Sequence, residues 1–318
     1  MRNRLALVVV AALVGGTQFA PAGAASSGLA YDSVSKFSPG GDASSFQPGS
    51  FQSDFQKASQ PVSSEGQGGA FGGLAAMAGG QMAGMQSMMR MMQSGTAERH
   101  YVAGSKERTD EVAAQTARIV DCAARTLTTL DLAKRTYRVT SLDAPQQPTH
   151  GYAPGPVPTD DGSKVSVTLT NKSLGSRTIE GLPTNGYNSN VQMTVSKPGG
   201  ESHTMDMNML AYYSAYAQPT PSCPRPTYTS FGSAGMPMMS GYNFLERALR
   251  ASNGDSRFSV NASGPSLPGG RLSLFDVVAM GGGGGRGGMV IVSERGDVHP
   301  VSDNDPIFSV PPGFTRLP

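Results

Sequence analysis

Three hydrophobic patterns follow one another along the chain. Leu5 to Val14 is an unbroken apolar run. Between 26 and 73 the apolar residues thin out to isolated aromatics, Phe37, Phe46, Phe51, Phe55 and Phe71, in a background of Ser, Gly, Gln and Pro. Such a segment predicts a low-complexity disordered linker, because it buries too little apolar area to offset its ordering entropy. From 74 to 95 the spacing becomes helical. Ala75, Ala78, Met82, Met85, Met89 and Met92 recur at threes and fours and form one stripe. Gly79, Gly80 and Gly84 weaken that helix, so it needs a surface to pack on.

From Thr96 the period drops to two, which predicts strands. Ala97 to Asp110 reads as one polar strand. Ala117–Asp121, Leu127–Asp131 and Thr136–Ser141 follow with hairpin-length connections. Leu142 to Gly162 is a Pro- and Gly-rich loop, and Lys164–Thr170 alternates cleanly. Val191–Val195 and Met205–Met209 flank Pro198-Gly199-Gly200 and predict another hairpin. Tyr213 to Pro237 is Pro-rich. Asn243–Arg250 predicts a helix, with Glu246 at capping-box spacing from Asn243. Arg257–Ala262, Arg271–Met280 and Met289–Arg295 complete the strands, and Gly281 to Gly288 joins the last two. The fold class expected is mainly β with one or two packed helices, as a single β-rich domain over 96–318.

The amino end changes the setting. Two basic residues, the ten-residue apolar run and a small-residue stretch ending in Ala-x-Ala patterns make residues 1–25 a secretory signal peptide. The run is too short for a spanning helix, which needs about 20 residues. The expected location is therefore periplasmic or extracellular, with no stable membrane span. Cleavage removes Arg2 and Arg4 from 25 basic residues and none of the 23 acidic ones, so the mature chain balances at 23 of each. That excludes electrostatic capture of nucleic acid. In an oxidising compartment the two cysteines, Cys122 and Cys223, are a disulfide candidate, with reduced thiols the alternative.

Two stretches carry a resemblance. Leu-Asp-x-x-Lys-x-Thr-Tyr at Leu130 to Tyr137 lies within the strand run Arg108 to Val139, and Phe-x-Val-Pro-x-Gly-Phe closes the chain at Phe308 to Phe314. The chain resembles an uncharacterised family of exported bacterial proteins, a domain of unknown function similar to the periplasmic lipoprotein-carrier group. The resemblance implies a curved antiparallel sheet, an incomplete barrel, that wraps over helices and shelters acyl chains.

Catalytic chemistry finds no motif. Gly282, Gly284 and Gly287 match G-x-G-x-x-G, but a strand follows them, not a helix, so the pattern reads as a flexible hairpin loop. No nucleophile elbow, zinc helix or paired-Cys zinc pattern occurs. His100, His150, His203 and His299 are dispersed. Asp297 and His299, and His203 and Asp206, are the closest His–carboxylate neighbours and lack a third ligand. No enzyme activity, cofactor or metal centre is therefore expected from these groups.

The 17 methionines stand out. Met82, Met85, Met89 and Met92 on the helix, and Met193, Met205, Met207 and Met209 on the hairpin, are the candidate ligand-binding residues. Thioethers adapt to irregular apolar partners, and they are also soft ligands for Cu(I). The leading expectation is a non-catalytic protein that holds an apolar small molecule or lipid in a curved-sheet concavity, with the helix as a plug. The alternatives are copper binding through the Met-rich segment, or an envelope protein that recruits a protein partner.

Overall fold

A computed structural model describes residues 28–40, 43–49, 51–60, 94–143, 164–219, 258–282 and 288–318. The Met-rich stripe of Ala75 to Met92, the helix expected over Asn243–Arg250 and the signal peptide expected over 1–25 lie outside these. Thirteen strands form one curved, unclosed sheet. They are β1 (Gly28–Pro39), β2 (Thr96–Ala103), β3 (Lys106–Glu111), β4 (Thr116–Asp121), β5 (Thr126–Asp131), β6 (Thr136–Ser141), β7 (Lys164–Ile179), β8 (Leu182–Ser196), β9 (Ser202–Ala217), β10 (Phe258–Ser263), β11 (Arg271–Gly282), β12 (Met289–Val301) and β13 (Thr315–Arg316). Their order across the sheet is β10-β7-β8-β9-β11-β12-β1-β2-β3-β4-β5-β6-β13. Only the outermost pairs, β10 with β7 and β13 with β6, are parallel. The mainly β, antiparallel class expected from the alternation is the one observed.

The linker expected over 26–73 is corrected for its first half. Residues 28–39 are the central strand β1, paired with β12 on one side and β2 on the other. Phe51–Ser59 is a helix, α1, with Phe51, Asp54, Phe55 and Ala58 facing inward. Phe51 packs with Val34 and Ala97 and lies over Gly296, where an added Cβ would come within 2.5 Å of its ring. An ion pair between Lys36 and Asp54 fixes the helix to the strand beneath it. The β-rich domain thus begins with β1, ahead of Thr96.

The single strand expected over Ala97–Asp110 is instead a hairpin. Ala103 pairs with Lys106 across Gly104, whose φ is 55°. From Lys106 the chain repeats every ten residues, a six-residue strand and a four-residue turn. Gln115, Arg125 and Arg135 end successive turns with φ of 52°, 52° and 53°. Asp121 and Asp131 accept the backbone N–H of Ala124 and Lys134 at 2.9 and 2.8 Å, closing their turns as Asx caps. These short strands are covered on one face by the C-terminal segment. Val310 and Phe314 pack against Ala117, Ile119, Leu130 and Tyr137. Arg108, buried with Asp110, donates to the Ile307 carbonyl at 2.8 Å.

Phe51→Ala should lower unfolding stability by about 3–5 kcal/mol, since it empties a fully buried aromatic site, whereas Leu174→Ala at an exposed position should change it by less than about 0.5 kcal/mol. A chain truncated to begin at Thr96 lacks β1 and should show no cooperative denaturant transition. Equal losses for the two substitutions, or cooperative unfolding of the truncated chain, would contradict the central placement of β1.

Candidate functional site

The β8–β9 hairpin separates two chemistries by the alternation of strand side chains. In register, Met193 faces Met205, Val191 faces Met207, and Ser189 faces Met209. Met207 in turn faces Met280, and Met280 faces Met289. The structure therefore brings the four predicted hairpin methionines onto one face and adds two more from β11 and β12. Met193, Met207 and Met280 pack with Val165, Val167 and Val278, and Met209 is buried among them. Met205 is 46% exposed. Met82, Met85, Met89 and Met92 lie outside the described residues. Cys122 is disulfide-bonded; Cys223, the only other cysteine of the sequence, also lies outside them.

The opposite face of the same strands is polar. Thr168, Gln192, Asp206 and Gly281 form one row, and Thr170, Asn190, Asn208 and Ala279 the next. Together with Val191 and Met207 they line an open groove of about 610 Å³. Its depth comes from β11, which places only Ala279 and Gly281 where β9 places amide and carboxylate side chains. The walls are tied side to side. Gln192 donates to Asp206 at 3.0 Å, and Asn208 bridges Asn188 and Asn190. One carboxylate among amides and hydroxyls suits a ligand rich in hydroxyl or amide groups and disfavours an anion. Sequence reasoning missed this groove. Its signal was the even-numbered set near the β8–β9 turn, Asn188 to Ser196 and Ser202 to Asn208, which is polar throughout.

The dispersed histidines are resolved one by one. His203 and Asp206 project from opposite faces of β9, so they are not a pair. His299 Nδ1 contacts the Asp297 carbonyl at 2.7 Å, a local turn contact at a residue with φ 49°. His100 belongs to a polar seam on the central strands. Its Nε2 lies 3.0 Å from Ser33 Oγ and 3.2 Å from Glu98 Oε2, and its ring stacks on Tyr31. Nearby, Arg295 donates to Asp276 and Ser273 at 2.6 and 2.8 Å. A nucleophile relay requires the carboxylate on the ring nitrogen away from the hydroxyl. Here both share Nε2, so the three residues do not form one. Among the described residues no three His, Cys, Asp or Glu gather as metal ligands. Comparison with protein-family models, curated proteins and solved structures gives no match.

Burial is the largest influence on Glu98 and pushes its carboxyl up. The His100 hydrogen bond and the charges of His100, Arg118 and Arg295 outweigh it and hold the group below its ordinary value. A carboxyl depressed in the folded state contributes stability above its unfolded pKa, about 4.3, and loses it as pH falls through the folded value. Glu98→Gln should therefore be less stable than the parent at neutral pH, and the gap in Tm should close on acidification below that range. Asp32, raised by burial against the opposing pull of Arg99, contributes with the opposite sign but equally in both proteins. A gap independent of pH would contradict the charged seam.

Proposed function

We propose that the chain is an exported, non-catalytic binding protein, and that its ligand lies in the groove across β7, β8, β9 and β11. The ligand is neutral and bears hydroxyl or amide groups, as a glycan does. The supporting observation is the pair of adjacent polar rows on β7, β8 and β9, each of which ends on β11 at a residue with little or no side chain, Ala279 or Gly281. Export rests on the signal-peptide pattern of residues 1–25. A second reading, an apolar or acyl-chain ligand on the methionine face, is favoured by Met205, which leaves nearly half its surface exposed beside Met193 and Met207.

Gly281→Phe separates the two. An added Cβ there meets nothing closer than the Asp206 carbonyl at 3.9 Å, so the ring fills the groove without displacing backbone. Titration of the full mature chain with neutral cello-, malto- and chito-oligosaccharides should show binding that Gly281→Phe weakens at least tenfold, with unchanged thermal stability. Uptake of a fluorescent fatty acid, unaffected by Gly281→Phe but reduced by Met205→Gln, would instead support the apolar reading. No binding of any of these probes would overturn both.

A further inference from the structure

The methionine face ends, at the β8–β9 turn, in a donor set the groove does not use. His203 faces Val195 and Met205 faces Met193, so His203, Met205 and Met193 share one face at the turn end of the hairpin. Opposed residues on neighbouring strands have Cβ atoms about 4.5–5.5 Å apart, and residues two apart on one strand are about 6.5 Å apart. Three flexible or rotatable donors within that triangle can turn onto a single ion. His203 and Met205 are exposed and Met193 is half-buried, so an ion reaches them without opening the core. Met207, next along β9 on the same face, offers a fourth donor, the third sulfur of the set.

We propose that this hairpin end is a site for a soft monovalent cation, Cu(I) or its analogue Ag(I), ligated by the thioethers of Met193 and Met205 and the imidazole of His203. The argument is one of ligand hardness. Thioether and imidazole favour soft and borderline ions, whereas Mg²⁺, Ca²⁺ and Mn²⁺ require oxygen. Within β9 the carboxylate of Asp206 points to the other face and is engaged by Gln192; in the turn, Glu201 adds one exposed carboxylate two residues from His203. The rest of this face is apolar, with Val165 and Val167 opposite Val195 and Met193. No oxygen-rich set competes there, and the apolar surround limits water around the ion. The proposal stands independently of the groove and of its ligand. It also moves the soft-metal expectation away from the 74–95 segment to residues that the strand register places side by side.

The test uses the full mature chain under anaerobic conditions with Cu(I) supplied against a chromogenic Cu(I) chelator. The expected result is retention of one Cu(I) per chain. Met193→Leu/Met205→Leu, which conserves volume and apolar character, should weaken retention at least tenfold, and so should His203→Asn. The variant Met82→Leu/Met85→Leu/Met89→Leu/Met92→Leu should keep this site. Ag(I) titration of chain labelled with ¹³C at the methionine methyls should shift the Met193 and Met205 signals first. This direct readout holds even if a variant folds poorly. Retention unchanged by the hairpin substitutions, no retention by the parent chain, or Ag(I) shifts confined to other methionines would overturn the proposal.

Discussion

Among the described strands, the two arms of the sheet meet through β1, which pairs with β12 on one side and β2 on the other. On one side stand the long strands β7, β8, β9, β11 and β12, of 12 to 16 residues. On the other stand β3 to β6, of six residues each. β1 bridges the difference in length. It pairs with β12 over nearly its whole span and with β2 only from Leu29 to Ser35. Beyond Ser35 the strand has one neighbour, and there Lys36 reaches Asp54 and anchors α1. The helix then seats Phe51 over Gly296 of β12 and beside Ala97 of β2. Strand and helix thus join the arms twice, once by backbone and once by packing.

The short arm needs a different support. Six-residue strands bury little surface of their own, and their hairpin turns place three non-glycine residues in the left-handed region, where an L-residue costs about 1–2 kcal/mol. The C-terminal segment offsets this. Asp305 caps the 3-10 turn at Pro306–Phe308 by accepting the Ile307 N–H at 2.9 Å. The segment then lays Val310 and Phe314 onto the short strands, and its end bonds to the Arg135 and Tyr137 carbonyls at 2.9 and 2.7 Å. Leu130 to Tyr137 and Phe308 to Phe314 are therefore one packing unit, separate in sequence and in contact in the fold.

This arrangement explains what was legible in the sequence. Strands with one apolar face, such as Lys164–Thr170 or Met205–Met209, announce themselves by alternation. β1 does not, because both its faces are covered and both are mixed. Leu29, Tyr31 and Phe37 share a face with Ser33 and Ser35, and Ala30 and Val34 share the other with Asp32 and Lys36. The polar members are satisfied by partners far away in sequence, His100, Ser293, Arg99 and Asp54, and no local pattern encodes such partners. The β7–β8 turn was hidden for a local reason. Glu180 and Gly181 both have positive φ, as a two-residue hairpin turn requires, but Glu-Gly is not among the usual pairs for it. The ten-residue repeat was present in the letters and was obscured because its turn residues, Gln115, Arg125 and Arg135, are not turn formers by type.

The candidate sites follow the same logic one level up. Sequence alone groups His203 with Asp206 by proximity. The sheet regroups them by parity, so that Met205 and His203 join Met193 while Asp206 joins Gln192 and Gly281. β11 then decides what each face can do. Its even positions, Val278 and Met280, extend the apolar wall. Its odd positions, Ala279 and Gly281, leave room above the sheet. A larger residue at either odd position would fill the groove and leave the methionine wall in place; a polar one at an even position would break the wall and leave the groove. Side chains alternate between the two faces along each strand, so only a shift of strand register would exchange them. The thirteen-strand pairing opposes that shift, because a one-residue slip exchanges every side chain between the two faces.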